Sequence, residues 1–412
     1  MKKIAIVSLG CPRNTVDSEI ILARLKQKGF IAVSAGRADA IIVNTCSFIQ
    51  DAKIESINAI KECLQLKKKN KKLKIIVCGC MVKHYGSKLA RYFKGVDAFV
   101  DVLKFEDKPF GFSGEFAPKH IGYLKISEGC LHNCSYCVIP KIKGRLKSKS
   151  LEAVLKEVEM LERRGVKELN IIAQDTTAWG KDFPVRRRFS FLLKKIEEKA
   201  KNIKWIRLLY AYPDYIDNEL LKIIANSSKI CHYLDIPLQH INNRILKLMH
   251  RNTTRQKIER LIARIRKKIP DISLRTTFIV GFPTETDKEF TELLGFIRQA
   301  KFTNLGAFIY SNEQGTPASK LRQTHYKTKQ SRFKALMQAQ QEISLENNQN
   351  FLGKEIDVLI DYSQKGYSFG RSYKDCYDID GNVIIKGRHT PGKFIKAKIT
   401  RAYEYDLEGE KI

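Results

Sequence analysis

The stretch EGCLHNCSYCVIP, residues 128–140, places Cys130, Cys134 and Cys137 within one short polar loop. It follows the apolar run YLKIS (123–127), which reads as the first strand of an alternation of strands and helices. In barrel-like α/β enzymes, the loops at the carboxyl ends of the strands carry the chemistry. We therefore expect an α/β domain to begin here, with a cysteine site at the end of its first strand.

Three closely spaced thiolates are typical ligands of an iron–sulfur cluster. They can each bind one iron of a cubane and leave the fourth iron open to another molecule. Structural zinc is the alternative, and it commonly uses two C-x-x-C pairs. Cys134 and Cys137 form one such pair, but no second pair follows downstream. A purely structural role is the remaining alternative, and the polar neighbours Glu128 and His132 do not favour it.

The same alternation continues from residue 123 through six predicted strands, most of them followed by a helical segment. The strands are YLKIS, ELNIIAQ, IKWIRLLYAY, HYLDIPLQ, LRTTFIVGF and LGAFIYS. Six units predict a partial (β/α)6 barrel rather than a full barrel of eight. A polar helical stretch at 326–350 follows, and then short strands separated by Gly-rich turns predict a small all-β barrel.

The first hundred residues alternate in the same way, with the runs KIAIVSLG, DAIIVNT, KIIVCG and AFVDV as strands. This pattern predicts an N-terminal α/β domain with a parallel sheet. The segment 106–120 contains Pro and Gly and reads as a linker. We expect three domains, at 1–110, 116–345 and 350–412.

A second set of cysteines, Cys11, Cys46 and Cys80, stands at the carboxyl ends of three predicted strands of the N-terminal domain. The carboxyl ends of neighbouring parallel strands meet at one edge of a sheet, so a second three-cysteine site is expected there. The alternative is that each is a small buried hydrophobe. The remaining four cysteines are interpreted as structural; they are Cys63, Cys78, Cys231 and Cys376.

The charge composition indicates which partners the protein is expected to bind. Lys and Arg outnumber Asp and Glu by 75 to 44, a net charge of +31, which favours polyanions such as RNA or the ribosome. The alternative is that the positive charge reflects only a lysine-rich composition, with the lysines on solvated helix faces. The last sixty residues, 353–412, are nearly neutral, with 11 Lys or Arg against 10 Asp or Glu.

With neither a signal-peptide cleavage site nor an apolar run long enough for a membrane span, we expect a cytoplasmic protein without a membrane partner.

The C-x-x-x-C-x-x-C spacing, with Tyr136 before the last cysteine, resembles the signature of the radical S-adenosylmethionine (SAM) enzymes. The resemblance implies that Cys130, Cys134 and Cys137 hold a [4Fe-4S] cluster whose open iron binds SAM, with Tyr136 beside the cofactor. The segments 8–19, 43–56 and 78–85 are similar to the N-terminal domain of one family of these enzymes, the methylthiotransferases. That likeness implies an auxiliary [4Fe-4S] cluster on Cys11, Cys46 and Cys80.

Further segments, among them DIPLQH, RTTFIVGFPTET and YSNEQGTPA, resemble the branch of this family that modifies an aspartate of ribosomal protein S-twelve. The resemblance covers essentially the whole chain. It implies that GRSYKDCYDIDG (370–381) belongs to a C-terminal TRAM barrel, and that this barrel docks the protein substrate. Two departures are visible: Thr284 stands where the family usually has Gly, and DCYDID replaces the usual DAPEID.

The implied reaction adds a methylthio group to the aspartate β-carbon. One SAM supplies a methyl group to a sulfur at the auxiliary cluster, and a second SAM supplies the radical. The two clusters would then face each other across the boundary of the first two domains. The resemblance also implies a low-potential electron donor such as flavodoxin or ferredoxin, and we expect a monomer.

Polar residues at the carboxyl ends of the central strands are the natural candidates to bind SAM or the substrate. They are Gln174, Asp175, Arg207, Gln239, His240, Arg275 and Glu285. A structural hydrogen bond is the alternative for each of them.

Two other functions stay open at this stage. A methylthiotransferase that acts on tRNA adenosine is favoured by the total charge but not by the neutral C-terminal barrel, which suits a basic protein better. A non-catalytic iron–sulfur or RNA-binding ribosome factor is the other, and the complete cysteine loop argues against it.

Overall fold

The computed structural model describes residues 2–101 and 106–412. Its first part is a five-stranded parallel sheet in the order β2-β1-β3-β4-β5. The strands are β1 (Lys3–Ser8), β2 (Ile31–Ala32), β3 (Ala40–Thr45), β4 (Lys74–Gly79) and β5 (Ala98–Phe99). The helices are α1 (Pro12–Gln27), α2 (Gln50–Lys69), α3 (Cys80–Tyr85) and α4 (Lys88–Tyr92). The predicted parallel sheet is confirmed; of the predicted strand AFVDV (98–102), Val102 lies outside the described residues.

The central strands of this sheet are buried on both faces. Ile41, Val43, Ile75 and Val77 are fully buried, and continuous β-branched runs of this kind are typical of parallel strands covered by helices on both sides. Helix α1 begins with Pro12, a residue whose fixed φ and missing N–H suit the first helical position. Cys11 therefore stands at the junction of strand and helix.

The central part is a six-stranded parallel sheet in the order β13-β12-β11-β10-β9-β6, a partial barrel of the expected kind. Its strands are β6 (Ile121–Lys125), β9 (Glu168–Ile172), β10 (Trp205–Leu208), β11 (Ile230–Asp235), β12 (Ser273–Val280) and β13 (Asn304–Ile309). A short hairpin, β7 (Ser127–Glu128) with β8 (Lys147–Ser148), stands beside it. Its helices are α5 (Ile139–Lys143), α6 (Leu151–Arg163), α7 (Phe189–Lys199), α8 (Asn218–Asn226), α9 (Asn243–Leu248), α10 (Arg255–Lys268), α11 (Asp287–Ala300) and α12 (Tyr326–Gln349).

The C-terminal part is a closed five-stranded barrel in the order β14-β15-β16-β18-β17. Its strands are β14 (Glu355–Gln364), β15 (Tyr367–Arg371), β16 (Val383–Lys386), β17 (Phe394–Ala402) and β18 (Leu407–Lys411). The predicted small all-β barrel is confirmed. One hydrophobic cluster joins all three parts of the chain and includes Ile20 of α1, Tyr233 of β11 and Leu359 of β14.

Buried charges fasten the C-terminal barrel to the central sheet. Arg371 binds Asp361 of its own barrel (2.7 Å) and Glu168, the first residue of β9 (2.6 Å). Glu168 also accepts a hydrogen bond from Arg207 of β10 (2.8 Å), and Asp361 contacts His120 (2.9 Å). Breaking a buried network of this kind by removing one partner typically costs about 3–5 kcal/mol, because the other charges are left unpaired.

The C-terminal segment 371–380 lies against the amino ends of the central strands. Lys374 O accepts hydrogen bonds from the first residues of β12 and β13, Ser273 (3.0 Å) and Asn304 (3.1 Å). Cys376 is fully buried beside Asn170 of β9. The structure buries residues 371, 372 and 374–376 of this segment between two parts of the same chain. Those side chains are therefore not available to a partner.

Candidate active site

The loop that carries Cys130, Cys134 and Cys137 runs from β7 to α5. The His132 N–H donates to Cys130 Sγ (3.4 Å), and the Ile139 N–H donates to Cys137 Sγ (3.4 Å). Hydrogen bonds of this kind favour the thiolate, the form in which cysteine binds metal. Burial nevertheless raises the pKa of Cys130 to about 11 and that of Cys137 to about 12. Thiolates at these two positions therefore need a positively charged partner such as iron.

Packing on both sides holds this loop in place. Gly129 has a φ of +78°, and a Cβ there would lie 2.2 Å from Arg145 O, so only glycine fits. On the other side, the Ser135 N–H donates to Met249 O (3.0 Å) and its hydroxyl donates to Leu248 O (2.6 Å). The loop is thus fixed to the chain after α5 and to the end of α9.

Cys11, Cys46 and Cys80 follow the carboxyl ends of the adjacent strands β1, β3 and β4. Gly10 shows how closely two of their loops approach. It has a φ of +87°, and an added Cβ would lie 2.7 Å from the Cβ and 2.9 Å from the Sγ of Cys46. The structure therefore brings the three cysteines to one edge of the N-terminal sheet, and a larger residue at position 10 would separate them.

Asn14, a buried residue that sequence reasoning did not select, ties the three cysteine loops together. Its Nδ2 donates to Leu9 O (2.9 Å) in the first loop and to Thr45 O (3.0 Å) in the second. Its Oδ1 accepts from Cys80 Sγ (3.8 Å) in the third. One amide side chain thus contacts the loops of all three candidate ligands.

Both cysteine groups suit a cluster by the chemistry of their donors, since each offers three thiols and a cubane takes one thiolate per iron. Among residues 2–101 and 106–412, no three His, Cys, Asp or Glu side chains stand in the arrangement that would hold a single metal ion. Thiolates that bind different irons need not converge on a single point. Cys80 packs against Val138 and Ile142, which follow the other cysteine loop, so the two groups are neighbours.

Arg13 lies at the boundary between the two groups. Its Nε donates to Cys11 Sγ (3.4 Å), its Nη1 donates to Ala173 O after β9 (3.2 Å), and its guanidinium lies 4.8 Å from the centre of the Tyr210 ring. Burial alone would raise the pKa of the Cys11 thiol, but the charge and hydrogen bond of Arg13 lower it. Arg13 therefore favours a thiolate at Cys11 and also connects the N-terminal sheet to the central sheet.

A cavity of about 200 Å³ adjoins the cysteine loop of the central sheet and is lined by residues from both sheets. The N-terminal part contributes Arg13 and Phe48, and the central part contributes all three cysteines of the loop. Further lining residues are His132, Tyr136, Gln174, Asp175, Tyr210, Tyr212, Gln239, Arg251, Thr277 and Phe308. The cavity thus combines aromatic side chains with a few polar groups, the lining that is typical of small-molecule sites.

Of the eight residues predicted to bind SAM or the substrate, four line this cavity: Tyr136, Gln174, Asp175 and Gln239. Asp175 is held by His132 (2.7 Å) and by the Thr177 hydroxyl (2.6 Å). The His132 ring stacks on Tyr212 with a centroid distance of 3.7 Å. These contacts fix the Asp175 carboxylate at the rim next to the cysteine loop.

The other four, Arg207, His240, Arg275 and Glu285, do not line the cavity. Arg207 is fully buried in the network with Glu168 and also donates to Tyr373 O (2.6 Å). Arg275 pairs with Asp235 (3.1 Å) and with Asp380 of the C-terminal segment (3.2 Å). In each case one partner, Tyr373 or Asp380, comes from a segment more than 100 positions away, which a strand-end argument cannot foresee.

Glu285 is likewise buried away from the cavity, 3.1 Å from Arg332 of α12 and 3.5 Å from His240. Thr284, beside it, has a φ of +66° and also does not line the cavity. Arg244 binds the Thr284 hydroxyl (3.2 Å) and its carbonyl oxygen (2.8 Å). The left-handed backbone explains why glycine is usual here, and the departure lies in a loop outside the candidate SAM site.

Arg251 is a further lining residue that the sequence did not single out. Burial by itself would lower its pKa, but Tyr136 and Cys134 beside it raise the pKa instead. Its guanidinium lies 4.4 Å from the centre of the Tyr212 ring. A buried guanidinium next to the cysteine loop can bind a carboxylate in bidentate fashion, the role that Arg207 and Arg275 were expected to fill.

Comparisons with protein families match three segments of the chain. Residues 3–101 match the uncharacterized protein family UPF0004, residues 124–297 match the radical SAM superfamily, and residues 352–412 match the TRAM domain. The matches coincide with the N-terminal sheet, the central sheet and the C-terminal barrel.

Curated relatives match over the full length. The chain is 42% identical to "Ribosomal protein uS12 methylthiotransferase RimO" of Caldicellulosiruptor saccharolyticus, with 100% of both chains covered. It is 43% identical to the protein of the same name from Thermoanaerobacter sp., again over 100% of both chains. The Geobacter sulfurreducens protein of that name is 41% identical, with 100% of this chain and 99% of the relative covered.

Solved structures show the same fold at low sequence identity. The radical SAM methyltransferase TsrM from Kitasatospora setae, with cobalamin and a [4Fe-4S] cluster bound, gives a TM-score of 0.55 at 14% identity over 90% of this chain and 81% of that one. The cobalamin-dependent radical SAM enzyme OxsB gives 0.54 at 13% identity over 82% and 56%. Among the described residues, no helix combines the length and the apolar character needed to cross a membrane.

Proposed function

Since the chain belongs to the RimO family of ribosomal protein uS12 methylthiotransferases, we propose that it attaches a methylthio group to the β-carbon of an aspartate of uS12. The observation that supports this most directly is the cavity that Arg13 and Phe48 of the N-terminal part line together with Cys130, Cys134 and Cys137 of the central part. A reaction that joins a sulfur group to a carbon at one place needs both cysteine groups beside one substrate. The enzyme is a radical SAM transferase of sulfur-containing groups.

The cofactors of this family are SAM and [4Fe-4S] clusters. We assign one cluster to Cys130, Cys134 and Cys137, and the auxiliary cluster to Cys11, Cys46 and Cys80. When bound, the clusters and SAM supply the electron, the radical and the sulfur that the reaction requires. The domain division that accompanies this assignment is 1–110, 116–345 and 350–412.

The residues of this chain bind and orient the reacting molecules. Arg251 is placed to hold the SAM carboxylate, and Asp175 is placed to accept from the SAM amino group or ribose. Tyr136 and Gln239 also line the cavity in which SAM would bind. The aromatic side chains Phe48, Tyr210, Tyr212 and Phe308 exclude water from the same space, which protects reactive species from side reactions.

We propose that the enzyme works as a monomer in the cytoplasm, because a single chain supplies both cysteine groups and the cavity beside Cys130, Cys134 and Cys137. A low-potential donor such as flavodoxin or ferredoxin is the expected reductant. The experiment that tests the function is intact-mass spectrometry of uS12 from cells with and without this gene, with tRNA nucleosides measured in parallel. Loss of one methylthio mass from uS12 is expected; loss from tRNA alone would refute the proposal in favour of tRNA adenosine.

A further inference from the structure

An exposed basic loop stands at the carboxyl edge of the central sheet, between β9 and α7. Its residues Arg186, Arg187 and Arg188 are all exposed, and with Lys181 they line a groove of about 420 Å³. Among the described residues, neither Arg186 nor Arg187 has a carboxylate within ion-pair distance, whereas Arg188 lies 3.6 Å from Asp217 and 3.4 Å from Glu219. Two full positive charges are therefore left unneutralised on this loop.

This groove is connected to the candidate active site by a series of ring contacts. Lys181 Nζ lies 3.8 Å from the centre of the Tyr215 ring, and the Tyr215 ring lies 5.7 Å from that of His132. The His132 N–H in turn donates to Cys130 Sγ. The basic loop thus borders the entrance to the cysteine site rather than an unrelated surface.

A second basic groove, of about 520 Å³, lies on the same rim. Lys247, His250, Arg251 and Lys257 line it, and Arg251 also lines the cavity beside the cysteines. Asp214, a lining residue of the first groove, interacts electrostatically with Lys257 and Arg251, which places the two grooves side by side. Together the two grooves form a cationic arc around one side of the site.

A cationic arc is poorly suited to a free ribosomal protein. Proteins that bind ribosomal RNA are themselves rich in Lys and Arg, since they neutralise phosphates. Positive charge at the entrance would slow the approach of such a substrate, because like charges placed opposite each other cost free energy. The same arc would attract the RNA on which the substrate sits.

We propose that RNA of the small ribosomal subunit lies across this arc during the reaction, so that the substrate is uS12 assembled on RNA rather than the free protein. This inference rests on the proposed function, which it deepens. The phosphates would lie along Arg186 and Arg187 in the first groove and along Lys247 and Lys257 in the second. The nearly neutral C-terminal barrel, on the opposite side of the central sheet, takes no part in this contact.

The test compares two double variants that each remove two adjacent cations. R186Q/R187Q changes the basic loop. The matched control K71Q/K72Q changes exposed lysines between α2 and β4, at the amino edge of the N-terminal sheet and so away from both cysteine groups. The substrates are small subunits purified from cells that lack the gene, and free uS12.

Binding to the subunits is measured by co-sedimentation over a range of salt concentrations, a readout that needs no reaction. R186Q/R187Q should weaken binding about tenfold near physiological salt and reduce the slope of log K against log salt by about 1.4, which is about 0.7 for each phosphate that is no longer neutralised. K71Q/K72Q should bind like the unchanged protein. An equal weakening in the two variants would overturn the proposal, because it would show that only total charge matters.

Methylthiolation, followed by intact mass, gives the second readout. The unchanged protein should modify subunit-bound uS12 faster than free uS12, and R186Q/R187Q should lose only that preference. Faster modification of free uS12 would overturn the RNA proposal and leave the proposed function intact. If the unchanged protein modified neither form, the proposed function itself would fail, while the binding measurement would still decide whether the arc holds RNA.

Discussion

Arg13, on the first helix of the N-terminal part, donates a hydrogen bond of 3.2 Å to the carbonyl oxygen of Ala173, at the end of a strand of the central sheet. The same guanidinium binds the sulfur of Cys11. One side chain therefore links the Cys11 loop to the central sheet. This arrangement suits a reaction in which a sulfur and a carbon must be held in contact for a bond to form between them.

We expect the change Arg13→Met to uncouple SAM cleavage from the formation of methylthiolated product. All six cysteines stay in place, so iron and sulfide content should remain near that of the unchanged protein. The amount of methylthiolated product per 5′-deoxyadenosine formed should fall about tenfold or more, because a misplacement of about 1 Å can cost 100-fold. Arg13→Lys should recover part of the loss.

Arg24→Met is the control for this prediction, since Arg24 lies on the same helix in an exposed ion pair with Glu106. An unchanged product ratio in Arg13→Met would show that Arg13 contributes to folding only.

The two cysteine groups should be separable by substitution. Cys134→Ala should abolish SAM cleavage and leave the iron of the auxiliary cluster. Cys46→Ala should spare SAM cleavage and stop sulfur insertion, with about half of the iron lost, because one of two four-iron clusters is then missing. The measurements are iron content, 5′-deoxyadenosine and the mass of uS12.

Cys63→Ala is the matched control, because Cys63 is buried in the hydrophobic core of the N-terminal sheet. It should change none of the three measurements. SAM cleavage that persists in Cys134→Ala would remove the C-x-x-x-C-x-x-C loop from the reaction.

Thr284→Gly should stabilise the protein. A β-branched residue with a φ of +66° is strained by about 1–3 kcal/mol, and glycine relieves this strain. Glycine has no hydroxyl to bind Arg244, which offsets part of the relief, so a net gain of about 1 kcal/mol is expected, or about 1 °C in the melting temperature for a chain of 412 residues.

Thr284→Ala separates the two effects, since it removes the hydroxyl but keeps a Cβ. It should destabilise the protein where Thr284→Gly stabilises it. Because Thr284 does not line the cavity, SAM cleavage should be unchanged in both variants; equal melting temperatures would show that the backbone at this position carries no strain.

Asp97 should make the stability of the N-terminal sheet depend on pH. Burial alone would raise the pKa of its carboxyl, but hydrogen bonds from Lys67, the Ile75 N–H and Lys74 lower the pKa to about 2. A carboxyl whose pKa is lowered on folding stabilises the fold above its unfolded pKa, near 4, and loses that contribution as the pH falls towards 2.

The change Asp97→Asn should therefore lower the melting temperature at pH 7, and the difference from the unchanged protein should shrink between pH 4 and pH 2. Asp51→Asn, an exposed position on the first turn of α2, controls for the loss of one negative charge. A difference that stays constant down to pH 2 would contradict the prediction.

The sequence was sufficient to predict that six of the cysteines form two groups of three, because each grouping follows from a local rule. The spacing of Cys130, Cys134 and Cys137 is a loop property, and Cys11, Cys46 and Cys80 come together because parallel strands share one carboxyl edge. Arg13 and Asn14 were missed although they follow Cys11 closely. An argument from strand ends does not say which side chains of the following helix contact the loops at the carboxyl edge of the sheet.

Arg207 and Arg275 show the limit of the same reasoning. Both lie on strands of the central sheet, as expected, but their partners Tyr373 and Asp380 come from the C-terminal segment. Only the folded chain shows that these cations are already neutralised, and that the arginines lining the cavity are Arg13 and Arg251. A buried ion pair between distant segments has no signature in the sequence of either one.

The insertion of the C-terminal segment also constrains how the protein forms during synthesis. Glu168 and Arg207 are translated more than 160 positions before Arg371 and Tyr373, their partners in the completed fold. Until those last residues leave the ribosome, the amino end of the central sheet keeps its charges hydrated and its apolar interior uncovered. The amino end of the central sheet therefore reaches its final, neutralised state only after the C-terminal segment has been made, although the main core of the central part contains no residue of that segment.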